Sequence, residues 1–115
     1  KPPLGPTVQH EVAPCVLLVA VNHPLEAACR RAAAGAVQAR LEVCDVASAT
    51  TQAALHRPFA LLVPSDILEF DPAEFRALAK TVNASLVRLP NEADSDRLVA
   101  RLIEALSGAS ARRAR

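Results

Sequence analysis

The stretch Pro58-Phe59-Ala60-Leu61-Leu62-Val63-Pro64-Ser65-Asp66 decides the fold, as an apolar run opened by one proline and closed by another. Phe59 to Pro64 carry no charge and show no alternation, which is how a strand reads when helices cover both faces of a parallel sheet. This is the expected central strand. In a doubly wound sheet the chemistry gathers at the carboxyl ends of such strands, so an active group is expected just after Val63. Pro64 stands there instead.

Upstream, Val16-Leu17-Leu18-Val19-Ala20-Val21 is a second unbroken apolar run, rich in β-branched residues, and reads as the first buried strand. Asn22-His23-Pro24 then starts a helix, with Pro24 at the first helical position and Asn22 or His23 as its cap. Leu25, Ala28, Cys29 and Ala32 share one face of it, and Gly35 is a natural left-handed stop. Leu41-Glu42-Val43-Cys44-Asp45-Val46 alternates like an edge strand. Ser48 or Thr50 can cap a short helix from about Thr51 to His56, with His56 facing solvent in its last turn.

Downstream, Asp71-Pro72-Ala73-Glu74 combines a cap, a proline at the first position and a Glu three residues after the cap. Phe75, Leu78, Ala79 and Val82 follow at helical spacing. Ser85-Leu86-Val87-Arg88-Leu89 is the fourth strand, closed by Pro90. Asn91 or Asp94 caps a last helix in which Leu98, Val99, Leu102, Ile103 and Leu106 form one stripe and which Gly108 ends.

Strand and helix in alternation require right-handed crossovers and a parallel sheet, so the expected class is α/β, a three-layer sandwich around a four-stranded sheet of order 2-1-3-4. The first helix covers one face and the second and third the other. Only the last helix can cover the remaining half-face, so it is expected to fold back beside the first, giving two helices on each face. Residues 15–108 form this domain. Residues 1–14, with four of the nine prolines, read as a linker or arm, and 109–115 as a basic flexible tail.

Composition narrows the function. With 51% apolar residues but only 3% aromatic, the core is aliphatic. Thirteen basic and twelve acidic side chains leave +1, which argues against a broad surface for nucleic acid or anionic lipid. Cys15, Cys29 and Cys44 are odd in number, lack a C-x-x-C pair and have no His at ligand spacing, so no metal site or disulfide framework is expected. They read as small buried hydrophobes in a reducing compartment. No apolar run nears the roughly 18 to 20 residues that span a bilayer, and no signal peptide is visible, so a cytoplasmic location is expected. The chain begins with Lys rather than Met, so it is expected to be a piece of a longer protein.

Three stretches resemble the receiver domain of bacterial response regulators, a flavodoxin-like family. They are Val16-Leu17-Leu18-Val19 leading into Pro24-Leu25 and Gly35; Ala53-Ala54-Leu55 followed by Pro58 to Val63; and Leu86-Val87-Arg88-Leu89-Pro90 leading into Leu98 to Leu106. The resemblance implies an acidic pair after the first strand for Mg²⁺, a phosphate-accepting Asp after the third, and a Lys before a late proline. Here the corresponding positions are Ala20 and Val21, Pro64, and Leu89. Arg88 and Asp66 stand one and two residues from these positions, with side chains expected to point elsewhere. Only 25 residues separate Pro64 from Pro90, so one strand–helix unit of the family is missing.

The resemblance therefore implies a degenerate receiver, a pseudo-receiver, that binds protein rather than accepting phosphate. It is expected to need no cofactor and no metal, and to be no enzyme. Its partner would be another protein of a regulatory, signalling or scaffolding system, or a second copy in a weak homodimer. Leu98, Leu102 and Leu106 are the candidate interface, because their stripe is wide for a helix that shares one face of a small sheet. The alternatives are a structural α/β domain of a larger protein and a small phosphocarrier-type enzyme domain. The latter needs a Cys at the end of the first strand, and Cys15 stands at its beginning.

Overall fold

Four strands of five residues each alternate with helices in a computed structural model that describes residues 14–90 and 95–114. In order they are β1 (Cys15–Val19), α1 (Glu26–Val37), β2 (Arg40–Cys44), α2 (Ala49–His56), β3 (Ala60–Pro64), α3 (Ser65–Leu68), α4 (Pro72–Thr81), β4 (Ser85–Leu89) and α5 (Ser95–Ala114). The sheet is wholly parallel with order β2-β1-β3-β4, a short flavodoxin-like arrangement. The expected arm, except Pro14, and the proposed caps Asn91 and Asp94 lie outside the described residues.

Alternation of side chains along each strand divides the core in two. Val16 and Leu18 of β1, Ala60 and Leu62 of β3, and Leu89 of β4 join α1 and α5 on one face. Leu17 and Val19, with Leu61 and Val63, join α2 and α4 on the other. All five residues of β1 and of β3 are buried, which is why both strands read as unbroken apolar runs. At the margin, β2 buries only Leu41 and Cys44 and leaves Arg40, Glu42 and Val43 half-buried, and Arg40 pairs with Glu42 along its less protected side.

The last helix does fold back beside the first, and this closeness overturns two expected stops. Gly35 lies inside α1, which ends instead at a left-handed Gln38 with φ 55°. A Cβ at Gly35 would stand 3.1 Å from Ile103 Cδ1, so the glycine serves the approach of α5 rather than a turn. Likewise α5 runs through Gly108 to Ala114, so residues expected as a flexible tail are helical. Ala109 is buried against the same core, which gives the added turns something to pack on.

The proposed interface residues Leu98, Leu102 and Leu106 are 3%, 3% and 0% exposed, so the stripe is core and offers no docking face. Smaller corrections concern helix starts. Helix α1 begins at Glu26, after a turn in which the Leu25 N–H donates to His23 Nδ1. Ser48 precedes α2 but donates to Asp45 rather than capping. His56 is half-buried, with Nε2 3.1 Å from Gln52 Oε1. The Asp71 cap forms as expected, its Oδ1 accepting from the Glu74 N–H at 3.2 Å.

Candidate functional site

Because every strand is parallel and the covering helices return antiparallel, all strand–helix turns gather at the carboxyl end of the sheet. All helix–strand turns gather at the amino end. At the carboxyl end Pro64 and Leu89 are register partners on β3 and β4, and both are fully buried. Ala20 is buried under α1 and α5, while Val21 turns outward at 54% exposure. The structure therefore brings Pro64 and Leu89 together and separates Val21 from them.

One polar contact holds this apolar closure. Ser65, buried immediately after Pro64, donates from Oγ to the Leu89 carbonyl at 2.9 Å and accepts from Arg88 Nε at 2.8 Å. Arg88 was expected to point away, yet its guanidinium reaches the end of β3 because Ser65 gives it an acceptor. Its outer nitrogen lies 3.5 Å from Glu69. Asp66 does turn to solvent, where it accepts from the Ile67 N–H. Among the described residues no three His, Cys, Asp or Glu side chains converge as metal ligands would.

Among the described residues, three of the four strongly exposed large apolar side chains stand at this same end: Val21, Val46 at 51% and Phe70 at 92%. Phe70 is the outlier. It directly precedes the Asp71 cap and lies five residues before Phe75, the spacing at which a hydrophobic staple packs the two together. Phe75 is 4% exposed and Phe70 stays in solvent, so the staple is not made. Around these side chains lie Asp45, Asp66, Glu69, Asp71 and Glu74, most of them at helix starts, where carboxylates suit the positive end of the dipole. Hydrogen bonds from the Ser48 hydroxyl and N–H hold the Asp45 carboxyl below its usual range.

The amino end carries the opposite charge. Arg57 caps α2, Lys80 lies in the last turn of α4, and Arg112 and Arg113 lie in the last turn of α5. Arg113 donates to the carbonyls of Pro58 at 2.8 Å and Arg57 at 3.2 Å, and Arg112 donates to Ser85 Oγ at 3.0 Å. These acceptors are neutral, so the guanidinium charges are placed but not cancelled. Leu55, 69% exposed, stands at this end.

The thiols take no part in either surface. Cys15, Cys29 and Cys44 are free and buried. Burial, and secondarily Glu26, pushes the Cys29 thiol up to about 12, and burial with Asp45 pushes Cys44 up to about 11. Neither is a nucleophile near neutral pH.

Comparison with family models, with curated proteins and with solved structures finds no match to this chain. No helix among the described residues is long and apolar enough to cross a membrane. The sequence reading missed Ser65 and Phe70. Glu69-Phe70-Asp71, an aromatic between two carboxylates, was a visible signal for the second; the partner of Ser65 is 24 residues away and had none.

Proposed function

We propose that the chain is a non-phosphorylatable, receiver-like protein-interaction module of a regulatory, signalling or scaffolding protein, working in the cytoplasm. One observation carries this reading: Ser65 and Pro64 seal the carboxyl end of the central strand against Leu89. Phosphoryl transfer to a protein requires an accessible carboxylate nucleophile and oxygen ligands for a divalent cation. In the segment that follows β3, Pro64 holds the place of the acceptor, Asp66 turns out to solvent two residues on, and Glu69 pairs with Arg88. Exposed apolar side chains around the sealed end give a protein partner, or a second copy, surface to bury.

Incubation with Mg²⁺ and acetyl phosphate tests the reading. The intact chain should gain no acid-labile phosphoryl group by mass spectrometry, and one such group on Asp66 or Asp45 would overturn it.

A further inference from the structure

Net charge of +1 conceals a segregation of charge along the strand direction, and the exposed apolar side chains follow it. Helix dipoles account for the carboxylates at helix starts and for the bases at helix ends. They do not account for Phe70, which forgoes the staple with Phe75, or for Leu55 at the opposite end. Each end thus presents a large exposed apolar group set among charges mainly of one sign, Arg88 beside Glu69 being the exception at the carboxyl end. The two signs are complementary.

We propose that the chain binds a second copy of itself head to tail, the carboxyl end of one sheet against the amino end of the next. This rests on the reading of the chain as an interaction module. In such a contact Phe70 comes to the surface that carries Leu55, Arg112 and Arg113, where an aromatic face gains both apolar contact and attraction to a guanidinium. Carboxylates such as Asp66 and Asp71 face the same arginines. The arginines are already fixed by Pro58, Arg57 and Ser85, so little side-chain freedom remains to be lost on contact.

Charge also selects the symmetry. A two-fold contact through Phe70 would press one acidic end against another, and a two-fold contact through Leu55 would oppose arginine to arginine. Like-charge juxtaposition disfavours both. The remaining contact is heterologous, the assembly keeping one free end of each kind at every step, so addition continues to a ring or filament rather than stopping at two.

Sedimentation of the 115-residue chain at rising concentration tests this, with Phe70→Ser to block one end and Leu55→Ser/Arg112→Glu to block the other. All three altered side chains are exposed, and unchanged urea midpoints verify that both variants fold. The unaltered chain should pass beyond the dimer, and at about 0.5 M salt its association constant should fall at least about tenfold. Each variant alone should lose at least about tenfold in association, as truncation of an interface anchor does. An equimolar mixture should form a discrete dimer and nothing larger, because one free end of each kind survives.

A chain that stops at dimer, a mixture that stays monomeric while the unaltered chain associates, or a monomer up to about 1 mM would each overturn the proposal. Phosphorylation by acetyl phosphate would instead overturn the receiver-like reading and leave the association result standing.

Discussion

At the amino end of the sheet the helices finish against backbone carbonyls, and at the carboxyl end they begin beside side chains that face water. Gln38 and Arg57 cap α1 and α2 in the left-handed region, and Asn83 does the same just after α4, with no glycine among them. Arg113 then reaches across to the carbonyls of Arg57 and Pro58. That end is closed by backbone geometry and guanidinium bonds. At the other end side chains do the fastening, the buried Ser65 hydroxyl, the Asp71 cap, Asp45 bonded to Ser48 and the His23 ring bonded to the Leu25 N–H, while Val21, Val46 and Phe70 remain outside. The difference teaches that one fold can secure its turns by two means and leave apolar surface unspent at both ends, more of it where the strands finish.

The contrast breaks first at Ser65. Replacing it with Ala leaves the Leu89 carbonyl and Arg88 Nε without their partner at a buried position, so stability should fall by about 1–3 kcal/mol in urea unfolding. An unchanged midpoint would mean that the carboxyl end closes by packing of Pro64 on Leu89 alone. Next comes Asp71→Ala, which removes the cap of α4 and should cost about 1 kcal/mol. If Phe70 in fact anchored that turn, the loss would be smaller.

The smallest effect sharpens the comparison from the amino end. Gly108 lies inside α5 without a positive φ, and a Cβ there would meet only Arg112 Nη1 at 3.6 Å. Gly108→Ala should therefore raise stability by about 0.5–1 kcal/mol, through helix propensity and a less free unfolded chain. A loss instead would mean that the helix stops at Gly108 and that Arg112 and Arg113 are not held by it.

The fold was legible because its main signals are local or combine simply. Buried strands of unbroken Val and Leu, Pro72 behind Asp71, and one helical stripe from Leu98 to Leu106 suffice for the sheet order and the layers. Gly35 and Gly108 misled because a glycine in sequence cannot distinguish a left-handed stop from a place inside a helix, close against another helix at Gly35 and clear of any other helix at Gly108. The real stops fell to Gln38 and Arg57, whose side chains give no such signal. Helix α3 was missed because four residues are too short to show a period. At the candidate site, the apolar character of Ala20, Val21, Pro64 and Leu89 could be read directly. The bond from Ser65 to Leu89 could not, since it depends on β3 and β4 lying side by side in one register.

The three buried thiols carry a practical consequence. Cys15 sits in β1, Cys29 in α1 and Cys44 in β2, so a central strand, a helix and an edge strand each hold one sulfur shut away from reagents. Alkylation must wait for the surrounding element to open, and its speed then records how often that opening occurs. The chain thus contains three chemical clocks at different depths, needing no introduced label.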